Sequence, residues 1–235
     1  MAAPRILVLT GAGISADSGV DTFRTQGGLW ERHDWREVAT PEGFAADPGK
    51  VHGFYNGRRA ALPEVRPNAA HRALADLERR LEKDGGRLTL VTQNVDDLHQ
   101  RAGSREVLPI HGSLDRASCT ACGAVHEWRQ DLSVETPCPG CGKAGGMQPY
   151  VVWFGEMPRH LDEAEAALDE ADLFVSIGTS GSVYPAAGLV AAARAGGTRC
   201  LELNLEPSEN AGLFDDTRYG KAAQIVPEWA EELTW

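Results

Sequence analysis

The chain has 235 residues, 42% hydrophobic and 24% charged, which is enough apolar material for a sizeable core and an ordinary charge content for a soluble protein. A formal net charge of −11 argues against broad phosphate-backbone binding, which needs clustered Lys and Arg, so direct nucleic-acid binding is not expected. No run of about 18 apolar residues occurs and the N-terminus lacks a charged segment followed by an apolar one, so neither a membrane span nor a secretory signal is expected and the chain reads as cytoplasmic.

Arg5 to Thr10 is an apolar run that breaks into Gly11-Ala12-Gly13, a strand followed by a tight turn. Residues 31–66 are aromatic-rich, interrupted by prolines and without strand alternation, and read as short helices and loops. Asn68 has the form of an N-cap, with Leu74, Leu77 and Leu81 on one helical face and Gly85-Gly86 closing the helix. Leu88–Thr92 and Val107–Ile110 read as strands, with a short helix from Val95 to Arg101 between them, capped by Gly103. Residues 113–148 are punctuated by glycine, cysteine and proline and hold too few apolar residues for a core of their own, so they need a staple. From Leu161 the alternation resumes: helix to Glu170, strand Leu173–Ile177, helix Pro185–Ala195, strand Cys200–Leu205, and a last short strand at Gln224–Val226. Strands alternating with helices predict an α/β fold with a parallel sheet covered on both faces.

Gly11-x-Gly13-x-x-Ala16 lies between a strand and a helical start, the context the dinucleotide fingerprint requires. Glycines let main-chain N–H groups approach a pyrophosphate, and Ser15, Asp17 and Ser18 are placed to cap or order the turn. The acidic residue usually found about 20 positions further on, after a second strand, is missing. The turn alone is equally compatible with a ligand-free glycine connection.

Of five cysteines, four form the pairs Cys119-x-x-Cys122 and Cys138-x-x-Cys141, separated by 15 residues, which is the spacing of a tetrahedral zinc site. Gly123 and Gly142 follow the second cysteine of each pair, where a missing side chain lets the turn fold back and point N–H groups at the thiolates. Four thiolates leave no open position, so the expected zinc is structural. Thr92-Gln93-Asn94-Val95-Asp96 and His111-Gly112 each follow a predicted strand, at the edge where open α/β folds bind ligands. A histidine at such an edge is suited to be a general base, whereas an isolated histidine is more often a capping group; the other six histidines show no comparable placement.

Taken in order, these segments resemble the sirtuin family: Gly11-Ala12-Gly13-Ile14-Ser15-Ala16 with Asp21-x-Phe23-Arg24, then Thr92 to Asp96, His111-Gly112 and the four cysteines. The series continues with Val152-Trp153-Phe154-Gly155-Glu156, Gly178-Thr179-Ser180 and Asn204-Leu205-Glu206, so the resemblance runs from about Ile6 to about Glu228. It implies a Rossmann-like NAD-binding domain formed by residues 1–30, 67–112 and 149–235. A smaller domain would combine a helical insertion, 31–66, with a zinc module, 113–148. NAD, consumed as co-substrate, would contact Gly11, Ala12, Gly13, Ser15, Ala16, Phe23, Arg24 and Trp30. Gln93, Asn94, Val95 and Asp96 would hold its ribose and nicotinamide pocket, and Gly178, Thr179, Ser180, Asn204, Leu205, Glu206 and Ala222 its adenosine side. Asn94 and Asp96 are counted with His111, the implied base, as catalytic. Val152, Phe154, Gly155 and Glu156 would bind an acyl-lysine protein substrate, with Phe154 to Glu156 pairing its backbone in an added-strand mode. The implied reaction removes an acyl group from lysine and yields nicotinamide and O-acyl-ADP-ribose, with no hydride transferred.

Within the insertion, Tyr55 and Arg58 are three apart and share a helical face, and a phenol beside a guanidinium suits a carboxylate. The pair resembles the sirtuin subgroup that removes succinyl and malonyl as well as acetyl groups. One departure from the family is Gln148-Pro149-Tyr150, where Arg-Pro-x is common. Competing readings are a zinc-ribbon regulator, which predicts a basic face that Glu127, Asp131 and Glu135 oppose, a Rossmann dehydrogenase, and a mono-ADP-ribosyltransferase.

Overall fold

A computed structural model describes residues 3–22 and 29–235, without the side chains of Leu29 and Trp30. The elements in chain order are β1 (Arg5–Thr10), α1 (Gly13–Ala16), α2 (Leu29–Arg32), α3 (Trp35–Val38), α4 (Pro41–Ala46), α5 (Pro48–Ala61), α6 (Ala69–Lys83), β2 (Arg87–Thr92), α7 (Leu98–Ala102), β3 (Val107–Pro109), β4 (Gly112–Cys119), β5 (Val125–Glu127), β6 (Met147–Val151), α8 (Leu161–Asp169), β7 (Leu173–Ile177), α9 (Leu189–Ala195), β8 (Arg199–Asn204), β9 (Asp216–Tyr219) and α10 (Ala222–Glu232). Six strands form a parallel sheet in the order β3-β2-β1-β7-β8-β9. Connections run one way from β1 to β3 and the other way from β7 to β9, so the sheet changes direction between β1 and β7. Open α/β sheets bind ligands at such a switch point.

Alternation along the strands sends residues to two cores. Ile6 and Val8 of β1 pack with Leu74, Leu77 and Leu81 of α6 and with Val226, Trp229 and Ala230 of α10, while Leu7 and Leu9 pack with Leu168, Leu189, Val190 and Phe174 on the opposite face. α6 starts on a reciprocal cap: Asn68 accepts from the N–H of Ala70 at 2.9 Å, and its own N–H donates to Nδ1 of His71 at 3.3 Å. Truncating one of these fully buried leucines to alanine typically costs about 2–5 kcal/mol.

Residues 112–151 carry a second, antiparallel sheet in the order β5-β4-β6. Its own core is five buried residues, Ala117, Cys119, Leu132, Cys138 and Met147, two of them cysteines. α5 packs against this module and is tied to it by the side chains of Asn56, half-buried, and Arg59, buried. Asn56 exchanges two hydrogen bonds with the backbone of Leu132, both at 2.9 Å, and the Arg59 guanidinium donates to the carbonyl of Leu114 at 2.7 Å and to Asn56 at 2.8 Å.

Two sequence expectations are corrected. Gln224–Val226 is not a strand but part of α10. The β-branched Ile225 and Val226 read as strand, yet Ala222, Val226, Trp229 and Ala230 recur at helical spacing and bury against α6 and the sheet. The last strand is instead Asp216–Tyr219, exposed at all four positions at the sheet edge, with no apolar alternation to announce it. Within 31–66, the prolines mark helix starts rather than breaks, Pro41 and Pro48 standing in the first turn of α4 and α5, and α5 runs 14 residues.

Candidate functional site at the sheet switch point

β1 and β7 end side by side in two glycine turns that touch backbone to backbone. Gly11 N–H donates to the carbonyl of Ile177 at 3.0 Å and Gly13 N–H to that of Gly178 at 2.9 Å. A Cβ on Gly13 would lie 2.7 Å from the Cα of Gly178, and one on Gly178, where φ is +63°, 2.5 Å from the nitrogen of Ile14. Both glycines of the fingerprint therefore direct these N–H groups at the neighbouring loop, and their missing side chains permit that contact. Beyond β7, Asn204 at the end of β8 donates to the carbonyl of Thr179 at 2.8 Å, which fixes the second loop against the next strand.

Behind the first turn, Ser15 is fully buried and sits at a junction. Its hydroxyl donates to Asp96 at 3.0 Å and accepts from the Asn94 amide at 3.2 Å; that amide also reaches the carbonyl of Gly11 at 3.1 Å. His71, whose Nδ1 already accepts from Asn68, carries its proton on Nε2, 3.5 Å from the same hydroxyl. Burial raises the Asp96 pKa above the usual carboxylate range, opposed by hydrogen bonds from Leu98 N–H and Ser15 and by the charge of Arg58. His99 stands next to His71, ring centroids 4.8 Å apart, and touches Thr10 with Nε2 at 3.1 Å. Burial keeps both rings neutral, pushing His71 down to about 4 and His99 well below its ordinary value.

His111 lies between β3 and β4, half-buried, with Nδ1 3.0 Å from the carbonyl of Gln93. A carbonyl only accepts, so Nδ1 carries the proton and Nε2 keeps its lone pair. Burial lowers the pKa of this ring below 6.5, against a smaller opposing effect of the Gln93 hydrogen bond. At neutral pH it is an uncharged imidazole with one basic nitrogen, the form a general base requires.

On α5, Tyr55 is buried and its hydroxyl accepts from the indole of Trp153 at 3.1 Å, while the phenol pKa is pushed up to about 12 by burial. The Arg58 guanidinium stacks over Phe54 at 5.7 Å; burial lowers its pKa, and the charges of Tyr55, Asp96 and Asp21 oppose the shift. The cation of α5 is thus within electrostatic reach of the carboxylate that Ser15 holds.

The four cysteine sulfurs lie within 4.8 Å of one another, with Cys119–Cys141 at 3.9 Å and Cys122–Cys138 at 3.8 Å. Tetrahedral Zn–S bonds of about 2.3 Å place sulfurs about 3.8 Å apart, so the donor set fits one zinc ion. The pair glycines do bend the chain, with φ +76° at Gly123 and +74° at Gly142. Their N–H groups, however, donate to the carbonyls of Cys119 and Cys138; the thiolate of Cys138 receives the N–H of Gly140 at 3.3 Å and lies 3.5 Å from Nε2 of His126.

The Sir2 family model matches residues 11–185. The chain is 56% identical to an NAD-dependent protein deacylase of Caulobacter vibrioides, covering 97% of this chain and 96% of that protein. It is 53% identical to one from Salmonella typhimurium, covering 98% and 84%. The chain belongs to the Sir2 family. Among solved structures, a Sir2 homologue in complex with NAD superposes with a TM-score of 0.87 at 40% identity, covering 98% of this chain and 90% of that one. Sir2Tm bound to a propionylated peptide gives 0.81 at 27%, covering 97% and 92%.

In this Sir2 chain, Gly11, Ala12, Gly13, Ser15 and Ala16 cluster with Asn94 and Asp96 and with Gly178 and Thr179, as described. Phe23, Arg24 and the side chain of Trp30 lie outside the described residues. Ser180 is exposed and bonds Ser182 at 2.8 Å; Leu205 and Glu206 are also exposed, and Ala222 is buried at the start of α10. Asp17 and Ser18 do not cap α1: Asp17 accepts from Ala223 N–H, and Ser18 accepts from Asn68. Val152 N–H is taken by the carbonyl of His111, and Val95 joins the α5 core. Phe154 and Gly155 form a turn, Gly155 having φ +91°, and the N–H groups of Phe154 and Glu156 already donate to Ala39 and Trp153. The extended pairing expected of that segment is therefore not its conformation here. The sequence reading also passed over His71 and His99, which do line the back of the site; the spacing Asp96-x-x-His99 and the Asn68-x-x-His71 cap were the available signals.

Proposed function

We propose that this chain removes acyl groups from protein lysines at the expense of NAD, in the cytoplasm, and that the acyl groups include succinyl and malonyl. The observation that carries the deacylase reading is His111, a neutral imidazole with a fixed tautomer, on the same sheet edge as Asn94 and Asp96. NAD would supply the electrophile, a ribose carbon whose bond to nicotinamide breaks as the oxygen of the acyl-lysine amide bonds to it. Asn94, Asp96 and Ser15 hold and orient the ribose side, with the Gly11 and Gly178 turns forming the floor and Asn204 to Glu206 flanking the adenosine. His111 Nε2 would take the proton of a ribose hydroxyl as that hydroxyl attacks the acyl carbon, whose bond to the lysine nitrogen then breaks. Cys119, Cys122, Cys138 and Cys141 hold a structural zinc that takes no part in the reaction. The names of the relatives, and the NAD and acyl-peptide complexes of the structural neighbours, support this reading.

Acyl choice is assigned to α5. Arg58 offers a fork of donors to a distal carboxylate, and Tyr55, whose oxygen already accepts from Trp153, has its own O–H to donate. The test is incubation with NAD and succinyl-, malonyl- and acetyl-lysine peptides of one sequence, read by mass spectrometry. Nicotinamide release with loss of the acyl mass is expected. Arg58→Ala should raise the KM for the two acidic acyl groups by roughly 30-fold or more, equivalent to at least about 2 kcal/mol, and leave acetyl-lysine turnover nearly unchanged. Equal slowing of all three peptides defeats the acyl assignment. A mass gain of ADP-ribose on the peptide, without loss of acyl, replaces the deacylase reading with transfer.

A further inference from the structure

The ladder of the parallel sheet ends one residue before the peptide that orients His111. Thr92 is the last residue of β2: its carbonyl accepts from Ile110 at 3.0 Å, and the next N–H, of Gln93, donates to Thr10 at 2.9 Å. The following peptide unit, Gln93 C=O with Asn94 N–H, is held by side chains instead. Its N–H donates to Oγ1 of Thr92 at 3.1 Å, and its carbonyl accepts from His111 Nδ1 at 3.0 Å. Because a peptide unit is planar and trans, the N–H and C=O point in opposite directions and cannot be re-aimed separately. Whatever fixes the N–H also fixes the carbonyl that decides which nitrogen of His111 carries the proton.

The Thr92 hydroxyl is itself fixed from behind. Thr10 donates to it at 2.8 Å, and the Thr10 hydroxyl in turn lies 3.1 Å from Nε2 of His99. With the Thr10 proton committed to Thr92, His99 must be the donor at that contact, so its proton is on Nε2. Its Nδ1 is then a bare acceptor, and that atom is buried without a hydrogen-bond partner among the described residues. All three side chains are essentially buried, so water does not compete for these contacts. The series runs in one direction: His99 to Thr10, Thr10 to Thr92, with Asn94 N–H converging on the same oxygen.

We propose that Thr92, with Thr10 and His99 behind it, is a positioning group for the His111 base, acting through the Gln93–Asn94 peptide plane on the tautomer of the ring. This rests on the deacylase reading for its effect on turnover, though not for its effect on the ring. Removing the Thr92 hydroxyl leaves the peptide free to tilt, weakens the Gln93 carbonyl contact and lets His111 populate the Nε2–H form, which cannot take a proton at Nε2.

The experiment is long-range proton–nitrogen NMR of the His111 ring in full-length, zinc-loaded protein without NAD or peptide, alongside steady-state kinetics. Wild-type protein should show Nε2 as the unprotonated nitrogen. Thr92→Val should show the second tautomer, a kcat lower by about tenfold and a KM for NAD changed much less. Thr92→Ser, which keeps the hydroxyl, should restore both signals. Thr10→Val breaks the series one link further back and should shift the ring resonances in the same direction, which serves if Thr92→Val does not fold. An unaltered tautomer in Thr92→Val, or a Thr92→Ser variant as impaired as Thr92→Val, overturns the proposal. A wild-type enzyme with the expected tautomer but no deacylation defeats the deacylase reading alone.

Discussion

The indole Nε1 of Trp153 donates to the hydroxyl of Tyr55 across 3.1 Å, joining the residue next to Phe154 to the helix that carries Arg58. Both side chains are buried in the core that α5 shares with Leu114 and Val151. Tyr55→Phe should therefore change stability, whatever its effect on acyl choice, because it leaves a buried indole N–H unpaired. A loss of about 1–3 kcal/mol in unfolding free energy is expected, measured by denaturant titration of the NAD-free protein. Unchanged stability would mean that the indole has another partner in solution.

His111→Ala should lower deacylation about 100- to 10,000-fold while NAD binding by calorimetry stays close to wild type. The pH profile has a defined sign. A base acts when unprotonated, and burial lowers the His111 pKa below 6.5. The acid limb of kcat/KM should accordingly fall below pH 6.5, with activity level from there to neutrality. A limb centred above pH 6.5 would show that another group controls the reaction.

Natively purified protein should contain one zinc per chain. Cys138→Ser should lose it and open residues 113–148 to proteolysis, because the core there is five residues, two of them ligands. Metal analysis and limited digestion measure the two outcomes, and a zinc-free native protein contradicts the assignment.

Stability should also depend on His71. Its pKa drops from 6.5 in the unfolded chain to about 4 when folded, because its burial penalises the charged ring. Below pH 6.5 the unfolded chain binds the extra proton, so stability is full above that value and declines as the pH falls towards 4. The His71 contribution lost is on the order of 3 kcal/mol. Denaturant titrations between pH 7 and 5 should show a shallower decline in His71→Gln than in wild type, and identical slopes would refute it.

Much of this was legible because it is local. The cysteine spacing, the strand–glycine–helix turn and the apolar period of α6 each lie within a few residues, and the structure shows all three. The positions of β9 and α10 were not legible: Asp216–Tyr219 carries no apolar alternation, and Ile225-Val226 has the composition of a strand until α6 supplies a helical partner. The contact between the two glycine turns was not legible for a related reason. Gly13 and Gly178 are 165 positions apart, and only the sheet order reveals that each requires the other to lack a side chain. Tyr55 and Arg58 shared a helical face by spacing alone, whereas the hold of Trp153 on Tyr55 spans 98 residues and left no trace in the local pattern.

Asn56 and Arg59, each next in sequence to one member of the Tyr55–Arg58 pair, clamp α5 to Leu132, which follows β5, and to Leu114 of β4. These hydrogen bonds join the cysteine module to the helix proposed to read the acyl group. If zinc occupancy steadies Leu132, and through it the aim of Arg58, then a ligand bearing a carboxylate must by reciprocity make zinc harder to extract. Chelator resistance thus becomes an assay of acyl preference: a succinylated peptide should protect the metal more than an acetylated one of equal affinity.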